Sequence, residues 1–182
     1  DFTSAGGISA SYIAKWNGTS WSSLGTGMNG PVYALLQVGG VLYAGGSFTT
    51  AGGVSASRVA RWDGTNWSQL GSGTDNDVTA LAAITGNNGT ELYTGGSFTT
   101  AGGASASRVA KWNGTSWFSL GSGVGPGGVS ALAVIGNNLY AGGTFTIAGG
   151  SNVNYAAQWD GTSWSPLGNG MNSYVWSLTT LD

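Results

Sequence analysis

The sequence contains neither cysteine nor histidine among its 182 residues. The absence of cysteine excludes disulfides, thiolate metal sites and thiol nucleophiles. The absence of histidine removes the commonest side-chain metal ligand and the base of Ser-His and Cys-His catalytic arrangements. We therefore expect a protein without metal, cofactor or enzymatic activity.

Charged side chains are scarce as well. They make up 7% of the residues and give a net charge of −2 at pH 7, whereas an average domain has about 25%. A nucleic-acid-binding surface needs a basic patch, and a membrane-spanning helix needs about 18 or more consecutive apolar residues. The sequence has neither, so we expect no nucleic-acid partner and no membrane insertion.

One segment is repeated four times. The motif Phe-Thr-Thr-Ala-Gly-Gly, with small changes, begins at residues 2, 48, 98 and 145, which are spacings of 46, 50 and 47 residues. A fixed period of about 20–50 residues is typical of solenoids, propellers and repeat arrays. The repeats divide the chain into units 1–31, 32–77, 78–128 and 129–174, with a partial unit at 175–182.

Each complete unit contains four candidate β-strands. In the second unit these are 31–38, 41–44, 58–62 and 66–70, and the third and fourth units repeat them. Turns are predicted at Gly39-Gly40 and at Asp63-Gly64, the second as a type I′ hairpin turn, and Gly45-Gly46 are predicted to stop the second strand. No segment has the 3.6-residue apolar period of a helix, so we expect none.

The first strand of each unit is apolar on both faces. In the second unit, Val32, Ala34 and Leu36 lie on one face, and Tyr33 and Leu35 lie on the other. Such a strand suits a small sheet held between two neighbouring sheets, as in the four-stranded blades of a β-propeller. We predict an all-β propeller of four-stranded antiparallel blades, four units of about 47 residues. An all-β solenoid is the competing architecture.

The unit resembles the kelch repeat. The matching elements are the paired glycines Gly45-Gly46 after an apolar-aromatic strand, the aromatic residue Trp62, and Trp67 followed by Leu70. The spacer Ser-Phe-Thr-Thr-Ala-Gly-Gly resembles that of highly repetitive bacterial secreted or surface propellers of the kelch and galactose-oxidase-like group. The resemblance implies a β-propeller in an extracellular or cell-surface location. The oxidase of that group holds copper with His and Tyr and carries a Tyr–Cys cross-link, so its activity is not implied here.

The ends of the chain fall within a unit. Residues 175–182 align with 129–136 and predict a further first strand, but no counterpart of the second strand 137–143 separates Asp182 from Asp1. No signal peptide or initiator methionine is visible, and we expect Asp1 to be the edge of an excised or processed piece. The sequence predicts either a piece of a longer chain or two chains closing an eight-bladed ring head to tail, because closure removes exposed strand edges. A four-bladed monomer is the alternative.

Tryptophan supplies the first candidate site residues. Eight of the nine tryptophans form one pair per unit, Trp16/Trp21, Trp62/Trp67, Trp112/Trp117 and Trp159/Trp164. Recurrence at one position favours packing between blades, and the alternative is one sugar-stacking site per unit. Trp176 breaks the pattern, since its counterparts are Tyr33, Thr79 and Ser130, and it is a candidate ligand or interface residue.

The basic residues are predicted on the third strands: Lys15, Arg58, Arg61, Arg108 and Lys111. Residues three apart on a strand face opposite sides. Arg58 and Arg108 are candidate ligand or interface residues. The alternative is that the charges on these strands deter pairing of an exposed strand edge with another strand.

Acidic residues and glycosylation motifs complete the candidates. Residues 75–77 and Glu91 form the one acidic cluster and predict either a calcium site or a solvated turn. Asp63 and Asp160 occupy turn positions held by Asn17 and Asn113 in other units. Asn-X-Ser/Thr motifs begin at Asn17, Asn66, Asn88 and Asn113.

These observations predict a non-catalytic extracellular or cell-surface repeat propeller that serves as a binding or structural scaffold module. The alternative is a multivalent lectin with one weak site per unit. An enzyme would require a catalytic domain elsewhere in a parent chain.

Overall fold

The computed structural model describes residues 1–87 and 89–180. Asn88, Leu181 and Asp182 lie outside this range, and with them one glycosylation motif and the end of the last predicted strand. No described residue is helical, as predicted. It follows that no helix in this part of the chain is long and apolar enough to cross a membrane.

The strands follow the repeat. In the first unit they are β1 (Ser4–Ala5), β2 (Ile8–Ser9), β3 (Ala14–Trp16) and β4 (Trp21–Ser23). In the second they are β5 (Val32–Val38), β6 (Val41–Gly46), β7 (Thr50–Ala51), β8 (Val54–Ser55), β9 (Val59–Trp62) and β10 (Trp67–Gln69). In the third they are β11 (Val78–Gly86), β12 (Gly89–Gly96), β13 (Thr100–Ala101), β14 (Ala104–Ser105), β15 (Val109–Trp112), β16 (Trp117–Ser119) and β17 (Val124–Gly125). In the fourth they are β18 (Val129–Ile135), β19 (Asn138–Gly143), β20 (Ile147–Ala148), β21 (Ser151–Asn152), β22 (Ala156–Trp159) and β23 (Trp164–Pro166).

Three antiparallel four-stranded sheets dominate the described residues. Their strand orders are β5-β6-β9-β10, β11-β12-β15-β16 and β18-β19-β22-β23. The first unit contributes the two-stranded sheet β3-β4, which corresponds to the outer half of each larger sheet. The prediction of an all-β chain built from repeated four-stranded antiparallel sheets is confirmed, and the arrangement is consistent with a propeller-like repeat fold.

Neighbouring units share their hydrophobic cores. One buried cluster joins Tyr43 and Leu70 of the second unit to Leu92 of the third. Another joins Tyr93 of the third unit to Leu139 of the fourth. Strand β11 lies between β5 and β18, which explains why a first strand is apolar on both faces. Each four-stranded sheet therefore buries its faces against other units rather than within itself.

The paired glycines end the second strand differently from the prediction. The prediction ended the strand before Gly45 and Gly46, but they are the last, buried residues of β6. A Cβ on Gly45 would come within 2.6 Å of Val78 Cγ1 in the next unit, and a Cβ on Gly46 would overlap the carbonyl oxygen of Pro31. Glycine is required here because the neighbouring atoms leave no space for a side chain.

The turn at Asp63-Gly64 also differs from the prediction. Trp62 pairs with Trp67, so the loop has four residues, and only Gly64 within it has a positive φ. A type I′ turn needs positive φ at both central residues, and Gly39-Gly40 has that geometry with φ of 58° and 79°.

The long connection between second and third strands forms a small hairpin that the sequence did not predict. The hairpin β7-β8 recurs as β13-β14 and β20-β21. In each case the residue five positions after the end of the preceding unit's fourth strand pairs with the hairpin alanine: Met28 with Ala51, Thr74 with Ala101 and Val124 with Ala148. The hairpins therefore hold consecutive units together.

Within the predicted first strand 175–182, the described residues 175–180 do not form a strand, because no described segment pairs with them along a ladder. They nevertheless occupy the place of a first strand. Val175 lies against Gly142 as Val78 lies against Gly45, and its N–H donates to the Gly143 carbonyl at 3.1 Å.

Candidate binding site

Residues at matching positions near the start of successive first strands line one cavity of about 360 Å³, which we call the mouth pocket. These residues are Tyr33, Thr79, Ser130 and Trp176. Gly96, Ser97, Gly128 and Val129 complete its lining. The structure thus brings Trp176 together with its three sequence counterparts.

A β-bulge sets the direction of these side chains. In β5, Val32 pairs with Gly46 and Ala34 pairs with Gly45, so Tyr33 is an extra residue without a partner. The same irregularity falls at Thr79 in β11 and at Ser130 in β18. Bulges redirect a side chain locally, and here they place one residue per unit in the mouth pocket.

The polar groups of the mouth pocket are neutral. Tyr33 Oη donates to Ser47 Oγ at 3.3 Å. Thr79 Oγ1 donates to the Val129 carbonyl at 2.5 Å, and this hydrogen bond links the third unit to the fourth. The hydroxyls retain acceptor capacity, and no charged side chain lines the cavity.

An aromatic row leads into the pocket. It consists of Tyr155, Tyr174 and Trp176, with ring centroids 5.4 Å and 6.0 Å apart and the rings edge to face. Trp176 is 70% exposed, and Tyr33 across the pocket is 50% exposed. Exposed aromatic faces beside neutral hydroxyls suit an uncharged ligand that has both apolar faces and hydroxyl groups.

One position per unit adopts a left-handed backbone without being glycine. It is held by Tyr12, Arg58, Arg108 and Tyr155, with φ of 62°, 63°, 63° and 71°. Arg58 and Arg108 therefore precede the strands β9 and β15 instead of lying on them. The prediction that they face opposite Arg61 and Lys111 across a strand is wrong, because strand alternation does not extend to a left-handed residue.

The two arginines brace connections between units. Arg58 Nη1 lies 3.4 Å from the Thr74 carbonyl oxygen, and Arg108 Nη1 lies 3.4 Å from that of Val124. Both side chains are half-buried. The Nε of Arg58 is buried and has no hydrogen-bond partner among the described residues. Neither arginine lines the mouth pocket.

The acidic cluster is not brought together. Glu91 Oε1 accepts from Lys111 Nζ at 2.8 Å, and Glu91 Oε2 accepts from Tyr93 Oη at 3.1 Å. Burial, with the Glu91 charge beside it, raises the pKa of Tyr93. No three acidic residues lie close enough to hold a metal ion within the range that the structure describes.

Three other carboxylates, those of Asp63, Asp75 and Asp160, serve as turn acceptors. Hydrogen bonds from the backbone of Asn66 and Thr65 hold the pKa of Asp63 below its usual range. In the fourth unit, equivalent backbone hydrogen bonds lower the pKa of Asp160. Burial raises the pKa of Asp75, but hydrogen bonds from Thr99 and Thr100 outweigh it and lower the pKa overall. Asn17 and Asn113 accept equivalent backbone bonds, so these sites need an acceptor oxygen rather than a charge.

Three of the four tryptophan pairs lie between units, and the first pair does not. Each pair has ring centroids 5.3–5.5 Å apart. The second member donates its indole N–H to a leucine carbonyl of the preceding unit: Trp67 to Leu24, Trp117 to Leu70 and Trp164 to Leu120, at 2.8–2.9 Å. Trp21 has no such acceptor among the described residues, and Trp16 and Trp21 are 50% and 43% exposed.

Comparison of the chain with models of known protein families found no match, and neither did comparison with functionally curated proteins. The candidate site therefore rests on its geometry. Sequence alignment of the units identified Tyr33, Thr79 and Ser130 as counterparts of Trp176, but it carried no signal for the bulge that turns them toward one cavity. Ser97 was missed altogether.

Proposed function

We propose that this protein is a non-catalytic, kelch-like repeat β-propeller that acts as a binding or structural scaffold module outside the cell or on its surface. The observation that carries the proposal is that the junction between the second and third units and the junction between the third and fourth units repeat the same contacts. A Val–Gly contact, a Trp–Leu hydrogen bond and a hairpin pairing recur from unit to unit. The repeat of neutral, interlocking units favours assembly over a single specialised catalytic centre.

The two end faces complement each other. The first unit exposes the Trp21 indole, whose counterparts donate to Leu24, Leu70 and Leu120. The fourth unit ends with Leu167, the counterpart of those leucines, and no described indole donates to its carbonyl. We therefore propose that two chains associate head to tail and close an eight-bladed ring, with a longer chain of the same units as the equivalent arrangement in one polypeptide.

This proposal predicts a concentration-dependent dimer with twice the 18.2 kDa chain mass in light scattering. The variant Trp21→Ala is expected to weaken association at least about tenfold, because it removes one large buried contact at each junction. Phe118→Ala is the matched control, since Phe118 is an exposed aromatic residue on a fourth strand away from the ends. A sharp monomer mass at every concentration would exclude the dimer.

A lectin is the second candidate, and the mouth pocket favours it. Sugar rings present apolar faces that stack on aromatic rings and hydroxyls that bond to neutral polar groups. Trp176 and Tyr33 supply the aromatic faces, and Ser97 and Ser130 supply hydroxyls in the same cavity. The site would be shared among units instead of occurring once in each.

We expect the lectin function to appear as reproducible binding to one class of sugar on a glycan array. Trp176→Ala should weaken that binding at least about tenfold, the equivalent of roughly 1.4 kcal/mol, because stacking on the exposed indole is lost. Phe118→Ala again serves as the control. Binding that Trp176→Ala leaves unchanged would place the sugar elsewhere, and an array without binding would leave the scaffold function alone.

A further inference from the structure

The loop between the third and fourth strands carries either asparagine or aspartate at one position. The residue is Asn17 in the first unit and Asn113 in the third, but Asp63 in the second and Asp160 in the fourth. Glycine follows it in all four units. An Asn-Gly pair can convert into Asp-Gly without an enzyme, because glycine has no Cβ to shield its backbone nitrogen. A chemical reaction therefore connects the two states of this position.

The side chain of Asn113 is held in a conformation that favours this conversion. Its Oδ1 accepts from the backbone N–H groups of Thr115 and Ser116 at 3.0 and 2.9 Å, and from the Thr115 hydroxyl at 3.0 Å. A hydrogen bond from the N–H two residues later folds the side chain back along its own backbone, beside the nitrogen of Gly114. The same donors stabilise the negative charge that develops on Oδ1 when the amide carbon is attacked.

Asn17 has the same arrangement in the first unit. Its Oδ1 accepts from the N–H groups of Thr19 and Ser20 at 2.9 and 2.8 Å, and its Nδ2 donates to the Ser20 hydroxyl at 3.2 Å. Both asparagines and the glycines that follow them are exposed. A Cβ on either glycine would meet no heavy atom within 4 Å. Water therefore reaches both loops, and the glycine peptide has room to rotate toward the amide carbon.

Asn29 also precedes a glycine, but its side chain is held by a different segment. Its Oδ1 accepts from the N–H groups of Thr49 and Thr50 at 2.8 and 2.9 Å, and its Nδ2 donates to Thr49 Oγ1 at 2.8 Å. A Cβ on Gly30 would come within 3.2 Å of Phe48 Cα, so this glycine is packed against backbone. The fold thus directs the Asn29 amide away from its own backbone and restricts the peptide that would attack it.

The second and fourth units show that the loop accepts the product of the reaction. In Asp63 and Asp160, Oδ1 accepts from the backbone N–H groups two and three residues later, at 2.7–2.8 Å. The flanking tryptophans pair in the same register as they do around Asn113. Aspartate therefore replaces asparagine without a change in the turn. An ionised carboxylate is also a poor electrophile, so the reaction does not continue from the aspartate form.

We propose that Asn17 and Asn113 are sites of self-modification, at which the folded chain converts a side-chain amide into a carboxylate. The nitrogen of the following glycine bonds to the asparagine Cγ and loses its proton, and the Cγ–Nδ2 bond breaks with release of ammonia. Water then opens the cyclic imide. Opening at Cγ gives aspartate, and opening at the main-chain carbonyl gives isoaspartate, with no oxidation or reduction.

The modification changes the charge of a chain that has few charges. Conversion at both sites takes the net charge at pH 7 from −2 to −4, because each new carboxylate adds one negative charge. The two loops then match the aspartate loops of the second and fourth units. This inference does not depend on the mouth pocket or on the association of two chains.

The test follows the intact protein during incubation in mildly alkaline buffer. Trypsin releases residues 16–58, which contain Asn17 and Asn29, and residues 112–182, which contain Asn113. Tandem mass spectrometry then locates each conversion. We expect Asn17 and Asn113 to convert at least about tenfold faster than Asn29, because only their amides are oriented toward the attacking nitrogen. The same chain in denaturant is the matched control, in which the three asparagines should convert at similar rates.

Two further measurements test the pathway and the fit of the product. Isoaspartate at Asn17 or Asn113, detected by enzymatic methylation, shows that the reaction passes through the imide. The variant Asn113→Asp should melt within about 2 °C of the parent chain, because the loop keeps its hydrogen bonds. Equal rates for the three asparagines in the folded chain would overturn the proposal, and so would conversion of Asn17 and Asn113 only after denaturation.

Discussion

Replacing Gly96 by alanine is expected to lower the free energy of unfolding by about 3 kcal/mol, the upper range for steric overpacking of a core. A Cβ at this position would overlap the carbonyl oxygen of Asp77, which is backbone and accepts from the Ser97 N–H at 3.1 Å. Neither group can move without disturbing the pairing of β11 with β12. Urea unfolding of the purified variant measures the change.

Gly86 provides the matched control for this substitution. It lies on the same hairpin as Gly96 at the far end of β11, and a Cβ there would meet no heavy atom within 4 Å. Gly86→Ala is therefore expected to change stability by no more than about 1 kcal/mol, with a gain from reduced unfolded-state entropy. Equal effects of the two substitutions would contradict the close approach seen at Gly96.

Truncation of Trp164 to alanine is the second large effect that we expect. The indole is 8% exposed and its N–H donates to the Leu120 carbonyl at 2.9 Å. Truncating a buried aromatic residue costs about 3–5 kcal/mol, and the Leu120 carbonyl also loses its donor.

The variant Trp21→Ala tests whether this tryptophan stabilises its own sheet or the contact with the preceding unit. Trp21 occupies the matching position but is 43% exposed, so its truncation should cost about 1 kcal/mol or less in chains diluted to the monomeric state. Chemical denaturation of both variants at one low protein concentration makes the comparison. Similar losses at Trp21 and Trp164 would show that the indole stabilises its own sheet rather than the contact between units.

The repeat and the strand positions could be predicted because they depend on local patterns. Alternation of apolar residues and glycine-rich punctuation recur in each unit, and an apolar first strand such as 32–38 indicates coverage on both faces. These features need no knowledge of distant residues.

Other features depend on neighbours that the local sequence does not specify. Gly45 and Gly46 predicted the end of the second strand because paired glycines usually interrupt one, but they belong to β6 and are packed by Val78 and Pro31. The predicted strand at 175–182 was wrong over its described residues 175–180, because a strand needs a pairing partner, which the segment alone does not reveal. The left-handed conformation of Arg58 and the bulge at Tyr33 have no residue-type signal at all, since neither arginine nor tyrosine favours them.

The mouth pocket shows the same limit. Aligning the units identified one equivalent position per unit, and Trp176 stood out by its size. The alignment could not show that these positions converge, because convergence follows from how the units are arranged in space.

The recurring bond from a tryptophan indole to a leucine carbonyl has a consequence for how such a chain can change in length. The junction between the second and third units and the junction between the third and fourth units make the same contacts, so duplication or loss of a whole module there leaves the remaining contacts intact. Stability then grows by a nearly constant increment per module, as in a one-dimensional array. A break inside a module, by contrast, separates the second strand with its two glycines from the strands beside it and leaves an unpaired strand edge. We therefore expect natural variants of this protein to differ by whole numbers of modules.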